Sequence, residues 1–185
     1  MKRLFVAIKL SPDENFLRIY DFLKQNLKQD LIKWVEPDKL HLTLKFLGET
    51  RNEKIPIIKQ LLTEFVKGKK TLELNFDKVG IFGSSYDPKV IWFGINQNEQ
   101  IKEFGHKILQ HFHENGFKQD RQNFVPHLTI GRIKKLENKR YFQSVIDKVK
   151  NEPIQSFQIN EIILYQSILK PTGPIYITLG GFTLG

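Results

Sequence analysis

The tetrapeptide HLTL begins at His41, and the matching tetrapeptide HLTI begins 86 residues later at His127. Both alternate a polar with an aliphatic residue, which is the period of a β-strand with one buried face. In such a strand His41 and Thr43 point to one side, and the two leucines point to the other. The pattern predicts two strands, each anchored by aliphatic side chains and each presenting an imidazole and a hydroxyl on the opposite face.

The same offset of 86 residues relates other parts of the chain. It aligns a strand at Leu4 with one at Val90, and it aligns the helix predicted after each of them. A register shared by several elements indicates an internal duplication, with repeats over roughly residues 3–85 and 89–170. No linker rich in Ser, Pro or Gly separates the repeats. We therefore expect residues 1–185 to form a single compact domain made of two lobes.

Capping residues and apolar spacing predict the helices. Ser11 is the expected N-cap of the first helix, and Glu14 closes a capping box with it. Further helices are predicted over about 54–67, 99–115 and 138–149, each with apolar residues recurring at helical spacing.

Composition limits the classes of function. The net charge is +9 and the pI is near 9.6, so the surface should attract nucleic acid, acidic lipid or phosphorylated substrates. The chain has no cysteine, which excludes disulfides, thiolate catalysis and cysteine-based zinc sites. No apolar stretch approaches the roughly 20 residues of a membrane-spanning helix. We expect a cytoplasmic protein without a membrane segment.

Two imidazoles in one cleft would suit phosphoryl transfer by acid–base catalysis. The ordinary His pKa allows one ring to be neutral and the other protonated near pH 7. The neutral ring can deprotonate a nucleophile while the other protonates the leaving oxygen, and Thr hydroxyls can donate hydrogen bonds to phosphate oxygens. The alternative interpretation is a pair of ordinary strands, each with a half-exposed polar face.

Strict alternation along the two strands places their neighbouring side chains. Arg132 falls on the aliphatic face, and it reaches the cleft only if Gly131 introduces a bulge or the strand ends there. Lys45 falls on the cleft face, where we expect a solvated charge. Phe46 falls on the aliphatic face, and we assign it, together with Trp92, to the core.

The remaining histidines do not form a metal-binding pattern. His106, His111 and His113 belong to the predicted third helix, where positions 111 and 113 lie about 200° apart. They cannot share one ligand-bearing face, so we expect solvated side chains and no metal site.

Five phrases, in order along nearly the whole chain, are similar to those of the 2H phosphoesterases, which are named for two His-x-Thr-x motifs. They are RLFVAIKL, WVEPDKLHLTLKFLGE, FVPHLTIGRI, LYQSIL and GPIYITL. Within that family the chain resembles the RNA 2′,3′-cyclic phosphodiesterases once called 2′-5′ RNA ligases. The resemblance implies a bilobal α+β fold: two pseudo-two-fold-related lobes of antiparallel sheet, helices on the outside and an active cleft between the lobes.

The resemblance also implies a role for each motif residue. His41 would be the general acid toward the departing 3′ oxygen, and His127 the general base on the attacking water. Thr43, Thr129 and Arg132 would bind the phosphate. The implied product is a 2′-phosphomonoester, formed without a metal or another cofactor.

The leading hypothesis is therefore an RNA 2′,3′-cyclic phosphodiesterase that acts on RNA ends, tRNA-derived ends among them, as a monomer without a protein partner. Two alternatives stay open. The first is an enzyme acting on another cyclic or 2′-5′ linkage, ligation included. The second is a non-catalytic module that binds RNA ends. One departure from the family pattern is Gly131, where an Ala or aliphatic residue is more usual.

Overall fold

The computed structural model describes residues 1–84, 86–95, 99–119, 124–171 and 173–185. Its strands are β1 (Lys2–Lys9), β2 (Leu31–Trp34), β3 (His41–Thr50), β4 (Leu72–Phe76), β5 (Lys78–Gly83), β6 (Pro88–Gly94), β7 (His127–Lys135), β8 (Gln155–Ile159), β9 (Glu161–Lys170) and β10 (Gly173–Thr183). Its helices are α1 (Glu14–Asn26), α2 (Ile55–Val66), α3 (Glu99–Glu114) and α4 (Lys139–Val149).

The main sheet has the strand order β10-β9-β1-β3-β7-β6-β5, and β2 pairs with β7 beside this path. All of the neighbouring strands are antiparallel. Strands β3 and β7 pair at Leu42 and Leu128, after which β2 takes the place of β3 alongside β7, from Gly131 to Lys135. The two motif strands thus meet and diverge, which opens a cleft between two antiparallel lobes. The predicted bilobal α+β fold is confirmed.

The aliphatic residues of both motifs are buried in the core, as the alternation predicts. Leu42 and Leu44 are 1% and 2% exposed, and Leu128 and Ile130 are fully covered. They belong to one cluster of buried side chains that draws on both halves of the chain. Burying an aliphatic side chain of this size contributes about 1.5–3 kcal/mol, so each motif strand is held firmly from its inner face.

The helices lie close to their predicted bounds, but the first one begins later than expected. Asp13, not Ser11, is the N-cap of α1, and its carboxylate accepts a hydrogen bond of 2.8 Å from the Phe16 amide. Asp is as good a cap as Ser, and the helix starts at Glu14, so the capping box that was predicted from Ser11 does not form. At the end of α3 Gly116 adopts a φ of 81°, a conformation that favours glycine.

A β-bulge follows the Thr of the first motif. Thr43 and Lys45 lie opposite two adjacent residues of β1, so Leu44 has no partner of its own. The extra residue reverses the alternation beyond it. Lys45 therefore turns into the interior, where it is only 3% exposed, and Phe46 turns to the cleft face, where it is 62% exposed. Both predictions from strict alternation were wrong for this one reason.

The buried Lys45 is satisfied by groups next to the core. Its ammonium donates a hydrogen bond of 3.1 Å to the Lys118 carbonyl and lies 6.0 Å from the centre of the Phe112 ring. A buried cation is costly unless it is paired in this way. Lys45 thus ties β3 to the segment after α3 and does not face the cleft.

The second motif carries the same bulge. Thr129 and Gly131 lie opposite adjacent residues of β6, which leaves Ile130 as the extra residue. Gly131 is buried, and Arg132 is exposed on the cleft face. The bulge that Arg132 would need, left open by the alternation, is therefore present.

No helix in the described part of the chain is long and apolar enough to cross a membrane.

Candidate active site

The polar faces of the two motif strands line a single cleft of about 1270 Å³. It contains all five of the side chains singled out from the sequence, namely His41, Thr43, His127, Thr129 and Arg132. The strands reach this cleft because their leucines and isoleucine are fixed in the core behind it. Residues 86 positions apart in the chain are thereby brought into one site.

Both catalytic candidates use the same ring nitrogen to fix their orientation. The His41 Nδ1 lies 2.7 Å from the Lys39 carbonyl, and the His127 Nδ1 lies 2.7 Å from the Val125 carbonyl. A carbonyl oxygen can only accept, so Nδ1 carries the proton and donates it in each case. Each neutral ring therefore keeps an unprotonated Nε2, which is the atom that can exchange protons with a substrate.

Aromatic side chains hold both imidazoles in place. The His41 ring lies 5.0 Å from Phe5 and 5.1 Å from Tyr176, measured between ring centres. The His127 ring lies 4.7 Å from Phe82 in an edge-to-face contact. These contacts restrict the rings to the rotation that the Nδ1 hydrogen bonds already favour, so the two histidines are pre-organised before any substrate binds.

Trp92 supports the aromatic wall beside His127. Its indole stacks on Phe82 with ring centres 5.0 Å apart, and it lies against the backbone of Gly80 and Gly94. A Cβ atom at either glycine would fall 2.2–2.3 Å from the indole ring. Trp92 was assigned to the core from the sequence. It pairs instead with Thr129, on the sheet face that bears His127, and is half-buried.

Burial is the largest influence on the pKa of both histidines, and it lowers each below the ordinary value of 6.5. The hydrogen bonds to the Lys39 and Val125 carbonyls oppose this shift, and the positive charge of Arg132 adds to it at both rings. The pKa of His41 is lowered further by His127. Both rings are thus poised to be neutral until an anion enters the cleft.

Several cleft residues were missed by the sequence analysis. Phe46, Ser167 and Tyr176 also line the cleft, and the last two come from the β9–β10 hairpin. The offset of 86 gave a usable signal for Phe46, because it aligns that residue with Arg132. No local pattern marked Tyr176, since its position depends on how the closing hairpin packs on β1.

The histidines of α3 lie outside this cleft. His106 and His113 are exposed, as expected. His111 was also expected to be solvated, but it is half-buried and its Nε2 lies 3.0 Å from the Leu61 carbonyl of α2. Among the residues described by the structure, no group of three His, Asp or Glu side chains is placed to hold a metal ion.

The fold and the paired motifs define a two-histidine phosphoesterase architecture, and comparison with known proteins agrees. The model of the 2′-5′ RNA ligase superfamily matches residues 12–183. The chain belongs to the 2′-5′ RNA ligase superfamily, as the resemblance in its motifs indicated.

Individual relatives span nearly the whole chain. A protein of Methanothermobacter thermautotrophicus named RNA 2′,3′-cyclic phosphodiesterase is 32% identical over 184 residues, covering 98% of each chain. A protein of Methanocaldococcus jannaschii with the same name is 36% identical over 174 residues, covering 94% of this chain and 96% of its own. The crystal structure of E. coli LigT complexed with 3′-AMP superposes with a TM-score of 0.76 at 25% identity, covering 99% of this chain and 98% of that one.

Proposed function

We propose that this protein hydrolyses the 2′,3′-cyclic phosphate end of RNA to a 2′-phosphomonoester by acid–base catalysis with two histidines. The observation that carries the proposal is the pair of imidazoles in one cleft, each with Nδ1 bound to a carbonyl and Nε2 left to exchange protons. The substrate follows from the names of the relatives, RNA 2′,3′-cyclic phosphodiesterases at 30% identity or more.

The reaction is a displacement at phosphorus. The Nε2 atom of His127 accepts a proton from water as the water oxygen bonds to phosphorus. The bond from phosphorus to the 3′ oxygen breaks, and the protonated Nε2 of His41 gives its proton to that oxygen. The products are a 2′-phosphomonoester and a free 3′ hydroxyl. Proton exchange with solvent returns the two rings to their starting states.

The remaining motif residues would stabilise the charge on phosphate. Thr43 and Thr129 share the cleft face with the histidines, and their hydroxyls can donate to the non-bridging oxygens. Arg132 lies close enough to lower the pKa of both rings, so its guanidinium can also reach a phosphate between them. Donors placed in advance at oxygens that gain charge in the transition state lower the barrier.

Substrate binding would bring the rings to the protonation states that the reaction requires. In the free protein burial and Arg132 lower the pKa of His41, which disfavours the protonated acid. A bound phosphodiester brings a negative charge that offsets Arg132 and favours the imidazolium. The general acid is thus formed as the substrate arrives.

We further propose that residues 1–185 form one domain of two lobes, acting as a monomer in the cytoplasm on RNA ends that include tRNA-derived ones. The continuous core that draws on both halves of the chain supports the single domain. The net charge of +9 supports an RNA substrate.

The test is incubation of the purified protein, in EDTA, with an oligonucleotide that ends in a 2′,3′-cyclic phosphate, followed by phosphorus NMR. We expect a 2′-phosphomonoester as the sole product. Salt-sensitive binding without turnover would support the RNA-end-binding alternative instead. A joined product formed with an added 5′-hydroxyl oligonucleotide would support ligation, and loss of turnover in EDTA would contradict the metal-independent mechanism.

A further inference from the structure

The cleft carries more positive charge than one terminal phosphate requires. Among the described residues that line it, Glu36 is the acidic one, and the cationic ones are Arg3, Lys24, Lys33, Lys39, Arg132 and Lys134. No salt bridge to any of these cations occurs within the described residues, whereas exposed lysines elsewhere pair with acids, as Lys107 does with Glu103. A 2′,3′-cyclic phosphodiester carries a single negative charge, so most of this positive charge has no counterpart in the reacting group.

Three of these lysines continue from Arg132 along one end of the cleft. Lys33 of β2 lies directly opposite Arg132 of β7 in the antiparallel ladder, a relation that brings Cβ atoms to about 4.5–5.5 Å. Lys134 follows two residues later on β7, and Lys24 projects from α1 over the ring of Tyr20. We call Lys24, Lys33 and Lys134 the cationic row.

The row also reaches the opposite wall. The Lys33 ammonium comes within 3.6 Å of where a Cβ atom on Gly173 would stand. Gly173 begins β10, in the hairpin that packs on β1. Lys33 therefore extends from the lobe that holds His127 to the lobe that holds His41, and a strand of RNA leaving the cleft at this end would pass next to its ammonium.

The cationic row and the exposed aromatic ring lie at opposite ends of the site. Strands β3 and β7 run in opposite directions from the Leu42–Leu128 pair. Phe46 therefore lies on one side of that pair, and Arg132 with the cationic row lies on the other. In a nucleoside the base is attached beside C2′ and the 5′ chain beside C3′. A ribose held by its 2′,3′-cyclic phosphate thus sends its base and its 5′ chain toward opposite ends of the cleft.

We propose that the cationic row binds the internal phosphates on the 5′ side of the terminal nucleoside. The protein would thereby select the end of an RNA chain over a free 2′,3′-cyclic mononucleotide. This inference rests on the proposed function and specifies its substrate. Lysine is suited to the task, because internal phosphates need only a positive charge and no base-specific contact.

The test compares kcat/KM for a trinucleotide ending in a 2′,3′-cyclic phosphate with kcat/KM for the corresponding cyclic mononucleotide, over a series of salt concentrations. The wild-type protein should prefer the trinucleotide, and added salt should reduce that preference. In Lys33→Ala/Lys134→Ala the ratio of the two values should fall about ten-fold, and its salt slope should drop by about one. The control is Lys67→Ala/Lys148→Ala, which removes the same charge from exposed positions that do not line the cleft and should keep the wild-type ratio.

Equal kcat/KM values for the two substrates in the wild-type protein would overturn the inference while leaving the proposed function intact. An unchanged ratio in Lys33→Ala/Lys134→Ala, or an equal fall in the control variant, would overturn it as well. Failure of the wild-type protein to hydrolyse either substrate would overturn the proposed function itself, and this inference with it.

Discussion

At the scale of single residues, Arg132 links the electrostatics of the site to its chemistry. Its charge lowers the pKa of both His41 and His127, in addition to the larger effect of burial. The same guanidinium is placed to attract the anionic substrate. An arginine here therefore keeps the empty site neutral at its imidazoles and is offset only when a phosphate is bound.

We predict that Arg132→Gln shifts the pH dependence of kcat/KM toward higher pH. One ring must be protonated and the other neutral, so the profile of the free enzyme is bell-shaped and centred between the two pKa values. Both values lie below 6.5, so the wild-type optimum should lie below pH 6.5. Loss of the arginine raises both pKa values and moves the optimum up, while the maximal kcat/KM falls about 100-fold or more with the lost phosphate contact. An unmoved optimum would contradict this role.

Phe46 offers an exposed aromatic face to the base of the terminal nucleoside. Its ring is 62% exposed in the cleft and is backed by Phe5, with ring centres 6.1 Å apart. Stacking of one base on an aromatic ring contributes about 1–3 kcal/mol. We predict that Phe46→Ala raises KM about ten-fold with a smaller change in kcat, and that Phe46→Tyr stays near the wild-type value. Steady-state kinetics with equal KM for Phe46→Ala and wild type would remove Phe46 from substrate binding.

The sequence alone could place some of these residues but not others. Alternation placed the His and Thr of each motif on the cleft face, because hydrophobic burial of the intervening leucines allows no other register. It misplaced Lys45 and Phe46, and left Arg132 unresolved, because a bulge depends on how the neighbouring strand pairs. The resemblance implied a phosphate contact for Arg132, and the offset of 86 would have carried that cleft position to Phe46.

At the scale of elements, the paired bulges determine which side chains a motif strand can present. In β7 the cleft receives positions 127, 129 and 132, a spacing that a regular strand cannot provide. The bulge thus adds Arg132 to the His–Thr pair without moving its aliphatic residues from the core. In β3 the same device adds Phe46, so one bulge presents a charge and the other an aromatic ring.

Strand β5 supports the site through the absence of a side chain. We predict that Gly80→Ala lowers the free energy of unfolding in urea by about 1–3 kcal/mol, as overpacking does, because the new Cβ would lie 2.3 Å from the Trp92 ring. The displaced indole should disturb Phe82, and through it His127, so kcat/KM should fall as well. In a Trp92→Phe background the smaller ring leaves space, and the same change should cost less. An equal cost in both backgrounds would contradict the steric explanation.

At the scale of the whole molecule, two lobes related by strand order share one continuous core. Reading outward from the β3–β7 junction, the strands are β3-β1-β9 on one side and β7-β6-β5 on the other. The junction lies at the floor of the cleft, so each lobe contributes one histidine to a site that neither lobe could build alone. The interpretation of the chain as a duplication accounts for this arrangement.

The architecture was predictable where local signals or the family resemblance were strong. Helices α2 to α4 followed from apolar spacing, and the bilobal fold followed from the motifs. The pairing of β4 with β8 in a separate ribbon and of β2 with β7 was not predictable. These contacts join segments about 80 to 100 positions apart, and hydrophobic alternation states which face is buried without stating which strand lies alongside.

The central claim is that His41 and His127 act together on one cyclic phosphate, and single-turnover rates of ring opening in His41→Ala, His127→Ala and the double variant test it most directly. Each single variant should lose about 10²–10⁴ in rate. The double variant should lose little more than the worse single variant, because residues that act as a unit are not additive. His113→Ala, at an exposed position of α3, should keep the wild-type rate. Wild-type rates in either single variant, or losses that multiply in the double variant, would contradict the account.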